Sequence, residues 1–327
     1  MEEAVLVYRL FQLLLLLTGA AASAESRRDG CPTSCGDVDI PYPFGIGPNC
    51  FRDGFELYCN KTEAGVEKPF FGNVEIIDIS LPLGQARMLN HISQQCYDSQ
   101  NKSIVPDEWY LNLDDTPCRF SDVHNKFTVI GCYTLAYIGS FQKNNRYSSG
   151  CVPTCYNELS LVNGSCSGIG CCQTSIPKGL TYYTVEFDSR FNSSGVINFS
   201  RCSYAVLLEA NAFNFSSSYI TTTEFMDMNN QRAPLVVDWE IGNETCEAAI
   251  QNQTSYACIS ANSACFNSTN GPGYLCQCSS GYQGNPYVHD GCRGTSSSLA
   301  LLLLCSMCIY MVYERRRFAK VKKINET

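Results

Sequence analysis

Histidine is nearly missing from this 327-residue chain: His91, His124 and His289 are the only three, and none has a metal-ligand spacing. Phosphoryl-transfer signatures are missing too, with no Gly-rich loop, no V-A-I-K lysine, no H-R-D and no D-F-G. Gly164-Ser165-Cys166-Ser167-Gly168 has the outline of a nucleophile elbow, but its centre, Cys166, is most simply half of a disulfide. Asp114-Asp115 reads as a solvated turn rather than a carboxylate dyad. No catalytic residue, metal ligand or cofactor is therefore assigned, and the chain is read as a non-enzyme. Positive charge is also scarce. Between Glu25 and Arg293, 16 Lys and Arg face 27 Asp and Glu, a balance of −11. That argues against a nucleic-acid partner and gives polyanions no long-range attraction. Long capped amphipathic helices are absent as well.

The two ends carry apolar runs of different kinds. Val5 to Leu17 is apolar apart from Arg9 and Gln12, and Ala22-Ser23-Ala24 supplies the small residues a signal peptidase needs. Residues 1–24 thus read as a signal peptide. Residues 296–313 form a second run, which as a helix reaches about 27 Å, close to the roughly 30 Å of a bilayer core. Arg315, Arg316, Arg317, Lys320, Lys322 and Lys323 follow at once, and basic residues beside a span stay cytoplasmic. The expectation is a single-pass type I protein of the plasma membrane, with a transmembrane helix at 296–313 and a basic cytoplasmic tail at 314–327. Within the span, Cys308 is either a palmitoylation site or, like Cys305, a small apolar side chain.

What the chain has in abundance is cysteine. Of 21, 19 fall between Cys31 and Cys292, a density that belongs to an oxidising compartment where disulfides stand in for a large core. Nine N-x-S/T sequons between Cys31 and Cys292 agree, at Asn60, Asn101, Asn163, Asn192, Asn198, Asn214, Asn243, Asn252 and Asn267, while Asn325 begins one in the expected cytoplasmic tail, where it is idle. From Cys31 to Cys202 the intervening segments are rich in Val, Ile, Tyr, Phe and Thr. Asn73–Leu81, Lys126–Ile138 and Thr181–Asp188 read as strands. The expected fold class is mostly β and disulfide-rich, with a cross-linked domain over 25–240 and a compact module over 241–293.

That module spaces six cysteines as Cys246-x11-Cys258-x6-Cys265-x10-Cys276-x-Cys278-x13-Cys292. With Gly281-Tyr282-Gln283-Gly284 it resembles an EGF-like domain, and the resemblance implies the pairs Cys246–Cys265, Cys258–Cys276 and Cys278–Cys292. So short a segment cannot bury a core, so staples must hold it. The acidic pair that calcium-binding relatives place just before the first cysteine is out of position, because Asp238 and Glu240 lie too far upstream. Asn267 is itself a sequon, and no calcium site is expected here.

The larger domain carries Cys31-Pro32-Thr33-Ser34-Cys35-Gly36, Ile40-Pro41-Tyr42-Pro43-Phe44-Gly45-Ile46-Gly47, Cys50 and Gly54-Phe55-Glu56-Leu57-Tyr58-Cys59. These resemble the opening of the galacturonan-binding domain of plant wall-associated receptor kinases. Lys126-Phe127-Thr128-Val129-Ile130-Gly131-Cys132, Gly170-Cys171-Cys172-Gln173 and Cys202-Ser203-Tyr204-Ala205 extend the match. Where that family continues into a kinase, 14 residues follow the apolar run here, so the resemblance reads as a kinase-less, receptor-like member. The second, calcium-binding EGF-like module of many relatives is also missing.

Removing the module's six cysteines leaves 13, so one is free or pairs with another chain. The resemblance singles out Cys118, where relatives tend to carry an aromatic. Cys171 and Cys172, being adjacent, are expected to pair with different distant partners.

The family implies a contact with pectin, whose carboxylates call for Arg or Lys forks or a bridging Ca2+ ion. Phe141-Gln142-Lys143-Asn144-Asn145-Arg146-Tyr147 mixes cations, amides and aromatics, and Arg52, Arg119 and Lys126 are further candidates. Each is alternatively an ordinary solvated cation. The expectation is a receptor-like protein whose ectodomain faces the cell wall and binds galacturonan. It would act through a partner such as a receptor kinase co-receptor, as an anchor, or as a decoy. The rival expectation is a protein–protein interaction module or co-receptor with no carbohydrate ligand.

Overall fold

The computed structural model describes residues 30–62, 64–98, 103–107, 109–142, 145–191, 195–294, 310–313 and 315. The expected signal peptide, Asn101, Asn192, Lys143, Cys305, Cys308 and most of the expected span and tail lie outside the described residues. Among the described residues no helix is long and apolar enough to cross a membrane.

Three sheets dominate. The seven-stranded sheet runs in the order Cys118–Phe120, Arg232–Trp239, Gln85–His91, Val74–Ser80, Glu67–Phe71, Glu56–Lys61, Gly45–Ile46. Its pairings are antiparallel except the last, which is parallel. The five-stranded sheet is ordered Cys171–Thr174, Asn125–Ile130, Cys202–Glu209, Ser93–Asp98, Ser103–Asp107. The four-stranded sheet is ordered Trp109–Asn112, Tyr182–Phe187, Ala136–Gln142, Asn145–Cys151.

Strand periodicity explains where the core sits. Successive side chains of a strand point to opposite faces. In Gln85–His91, Ala86, Met88 and Asn90 are buried while their neighbours are half-buried. Cys202–Glu209 is buried on both faces. Ala205 and Leu207 enter one apolar cluster, while Tyr204, Val206 and Leu208 enter a second. The five-stranded sheet is thus a partition between two cores.

Residues 126–138, expected as one strand, form parts of two. Asn125–Ile130 belongs to the five-stranded sheet and Ala136–Gln142 to the four-stranded sheet. The break has a local cause. Gly131 sits at φ +154°, where a Cβ would collide with the Ser203 side chain, and Tyr133 follows at φ +58°. Cys132 is then tied to Cys155. The expected strands at 73–81 and 181–188 contain Val74–Ser80 and Tyr182–Phe187.

Six disulfides cross-link the larger domain: Cys31–Cys50, Cys35–Cys59, Cys96–Cys202, Cys132–Cys155, Cys151–Cys172 and Cys166–Cys171. Cys171 and Cys172 take separate partners because adjacent strand residues face opposite ways, although Cys166 is only five residues from Cys171. The C-terminal module pairs Cys246–Cys265, Cys258–Cys276 and Cys278–Cys292 around two small hairpins.

The core does not stop at residue 240. Phe44 and Phe55 meet edge to face at 5.0 Å, and Trp239 contacts both at 5.5 and 5.7 Å. Tyr287 of the module packs on Trp239 at 5.7 Å. Ile241 pairs with Tyr274 in an antiparallel bridge. Asn285 donates to the Tyr42 carbonyl at 2.7 Å, and Gln277 to that of Pro82 at 3.0 Å. Buried Asn270 donates to the Phe120 carbonyl and the Asp238 carboxylate and accepts from the Gly179 N–H. The module is fused to the sheet by apolar burial and a polar latch.

Candidate carbohydrate-binding surface

A polymer of acidic sugars needs cations that are not already neutralised within the protein. Most of those between residues 31 and 90 are committed. Lys61 lies 3.7 Å from Glu67, and Lys68 lies 2.7 Å from Glu75, which Arg232 also reaches at 2.8 Å. Arg87 donates through Nε and Nη2 to Glu209 at 2.8 and 2.6 Å. Arg52 forms no ion pair among the described residues, but its Nη2 donates to the Ser255 carbonyl at 2.6 Å. It therefore helps seat the module while keeping its charge.

Arg119 is a correction. Its guanidinium pairs with Glu240, with side-chain exposures of 12% and 2%, and it is covered by the Gly271 backbone. The strand Cys118–Phe120 turns Cys118 and Phe120 into the core and Arg119 toward the module, which buries it. Burial is also what lowers the Arg119 pKa. Arg119 holds the module and is not available to a ligand.

Lys126 and Tyr147, far apart in sequence, converge on Ser175. Lys126 Nζ donates to Ser175 Oγ at 2.7 Å, and the Tyr147 hydroxyl donates to the Ser175 carbonyl at 3.1 Å. The Tyr147 pKa is raised by burial, so it stays a protonated donor at neutral pH. This seam lies where the edge strand of the five-stranded sheet (Cys171–Thr174) meets that of the four-stranded sheet (Asn145–Cys151). Further polar contacts line it, with Gln173 Nε2 donating to Thr128 Oγ1 at 3.0 Å and Ser149 bonded to Thr174 at 3.3 Å. Lys178, three residues beyond Ser175, is exposed and, like Lys126, makes no ion pair among the described residues. Sequence reasoning missed Lys178; its single charge in a Pro-Lys-Gly turn carries no signal until the fold brings Ser175, three residues before it, to Lys126. Arg146 is exposed on the outer face of the four-stranded sheet, opposite Phe141, also without an ion pair among the described residues. Lys143 lies outside the described residues.

Other features define what this surface is not. A cleft of about 420 Å³ between Leu81, Pro82 and the module is lined by Gln277, Tyr282, Gln283 and Pro286 and has no cation. Among the described residues no group of three or more His, Cys, Asp or Glu is placed to hold a metal. Among the described residues Cys118 is the free cysteine, wholly buried, with burial pushing its thiol up to about 12. It cannot reach a second chain, so the alternative of an intermolecular disulfide through Cys118 is removed. The described sequons, Asn60, Asn163, Asn198, Asn214, Asn243, Asn252 and Asn267, are all exposed.

Residues 31–90 match the wall-associated receptor kinase galacturonan-binding family. In the structure they hold the Cys31–Cys50 and Cys35–Cys59 disulfides and five strands of the seven-stranded sheet. The chain is 38% identical over 288 residues to wall-associated receptor kinase 2 of Arabidopsis thaliana, covering 85% of this chain and 36% of that protein. It is 37% identical over 287 residues to wall-associated receptor kinase 5 of the same plant, covering 85% and 36%. Against wall-associated receptor kinase 3, also from Arabidopsis thaliana, the identity is 34% over 322 residues, covering 93% and 41%. The chain thus spans about two fifths or less of the length of these curated relatives. No solved structure matches it.

Proposed function

From the premise that the chain belongs to the wall-associated receptor kinase family, over the part of those proteins it spans, we propose that it is a cell-surface receptor-like protein binding the galacturonan of pectin. The observation that carries this reading is the match of residues 31–90 to the family's galacturonan-binding domain, with its paired disulfide frame. The Ser175 seam supplies what that domain's committed cations do not, namely lysines free to meet sugar carboxylates. In this reading residues 1–24 direct secretion, the ectodomain is glycosylated, and the apolar segment 296–313 holds it in the plasma membrane facing the wall. None of the 327 residues carries phosphoryl-transfer motifs. In this reading the protein acts through a partner such as a receptor kinase, or as an anchor or a decoy.

The test is equilibrium binding of the glycosylated full-length chain, in detergent micelles, to defined oligogalacturonides with and without calcium. Saturable binding that weakens with salt and methyl-esterification is expected. Lys126→Gln and Lys178→Gln should each lower affinity by about threefold to tenfold, as loss of one charge-assisted contact does. Absence of binding in both conditions would refute the reading.

A second reading has one observation behind it. Between Cys151 and Cys171 the chain exposes Tyr156, Leu159, Val162 and Ile169, with Leu159 95% exposed, on a loop stapled by three disulfides. Such a rigid apolar loop suits a protein partner.

A further inference from the structure

The four-stranded sheet has one face in the core and an outer face that is exposed at Tyr110, Asn112, Glu186, Arg146 and Ser148 but closed at Gly139 and Leu135. Leu111, Tyr183, Val185 and Ile138 point inward. The alternate residues form three outward rows. One is Tyr110–Thr184–Gly139–Ser148, and another is Glu186–Tyr137–Gly150. In the third, Asn112 stands opposite Tyr182, and continuing the same register across the sheet aligns this pair with Arg146 on the far edge strand. Each row crosses four strands or three, so the longest span about 14 Å.

We infer that this outer face is a stacking platform for successive rings of a galacturonan chain, with Arg146 meeting a ring carboxylate at one end. The inference rests on the pectin reading above and assigns it a second contact area, outside the family-matched segment.

Three observations carry it. Tyr110 is 63% exposed, and its ring lies 6.3 Å from that of Tyr182 at an interplanar angle of 35°. The two are diagonal cross-strand neighbours, so rigid backbone fixes their spacing. Aromatic faces are electron-rich and attract the C–H groups that line a sugar ring. Second, the surface is low-lying. A Cβ on Gly150 would strike the Tyr137 ring at 2.9 Å, so the absent side chain lets that ring lie across the next strand. Third, charge favours one side of the face. Arg146 is exposed and makes no ion pair among the described residues, and Glu186 stands two rows from it, although Glu186, like Tyr182, is a diagonal neighbour of Tyr110. A polyanion is therefore drawn to the row of Tyr182 and Arg146, away from Glu186. None of the four strands contains a sequon.

The test compares a galacturonan trimer with a dodecamer, using the glycosylated full-length chain in detergent micelles. Tyr110→Ala/Tyr182→Ala should weaken the dodecamer about tenfold through loss of two stacking contacts and leave the trimer, held at the Ser175 seam, unchanged. Tyr110→Phe/Tyr182→Phe should keep wild-type affinity, because the rings remain. Arg146→Gln should weaken the dodecamer and flatten its salt dependence. Wild-type binding with no difference in the double alanine variant or in Arg146→Gln overturns the platform alone. Failure of the wild type to bind either oligomer overturns the pectin reading and the platform together. Should the double alanine variant misfold, the exposed Arg146→Gln substitution decides.

Discussion

Asn270 offers the sharpest test of how the C-terminal module is held. Its amide nitrogen donates to the Phe120 carbonyl at 3.0 Å and to Asp238 Oδ2 at 2.8 Å, and its oxygen accepts from the Gly179 N–H at 2.8 Å. The side chain and its contact with the Phe120 carbonyl are buried, so that carbonyl regains no water when the side chain is removed, while Asp238 and the Gly179 N–H are half-buried and regain little. Two neutral hydrogen bonds contribute about 0.5–1.5 kcal/mol each and one to a carboxylate about 1.5–3 kcal/mol. Asn270→Ala is therefore expected to cost about 3–5 kcal/mol. Asn270→Asp keeps the shape but turns the donor into an acceptor facing Asp238, so its cost should be at least as large. Urea unfolding followed by the fluorescence of Trp239, buried beside Tyr287, reads the loss as a lower midpoint. Hydrogen exchange at the Ile241–Tyr274 bridge reports whether the module lifts off first. A loss below about 1 kcal/mol for both variants would refute the latch.

Two further predictions concern ionisable groups. Arg190 donates to Asp188 through Nε at 2.9 Å and holds its carboxyl well below the usual carboxylate value of 3.8. Because the folded pKa is depressed, the pair's stabilisation is present above about pH 4 and is lost as pH falls through the lower folded value. The melting-temperature gap between wild type and Asp188→Asn should be constant from pH 7 to 4 and shrink below that; a gap that closes above pH 5 would contradict the pairing. Cys118 should resist alkylation in the native protein and label fully once unfolded, and Cys118→Ala should leave the oligomeric state unchanged by light scattering.

Sequence and structure part company where a residue's role depends on a distant partner. The pairing of the six cysteines of 246–292 was legible only through the resemblance of their spacing to an EGF-like domain, since six cysteines by themselves allow about 15 connectivities. The odd cysteine count was legible as arithmetic, but only the fold shows that Cys118 is buried rather than presented. Lys126–Ile138 reads as one strand because its β-branched and aromatic content is continuous. The φ of Gly131, forced by the approach of Ser203, breaks it. Arg119 looks like any loop cation until Glu240 and Gly271 close over it. Lys126 and Tyr147 lie in segments that no local pattern relates, and only the seam at Ser175 joins them. The tyrosine face was invisible for the same reason, since cross-strand register is not written in any one strand.

The fusion of module to sheet has a mechanical meaning. In the arrangement proposed above, with a membrane anchor beyond residue 294 and a wall polymer held elsewhere, tension enters at Cys292. The Cys278–Cys292 bond then shunts it past residues 279–291, which cannot be drawn out. From Cys278 the load runs along the strand Tyr274–Cys278, next to Ile241 and the Trp239 cluster, into Arg232–Trp239, the second strand of the seven-stranded sheet. Among the described residues no slack hinge lies on that path, so in the proposed arrangement a tug on the wall leaves residue 294 as displacement of a stiff body rather than as uncoiling of a loop.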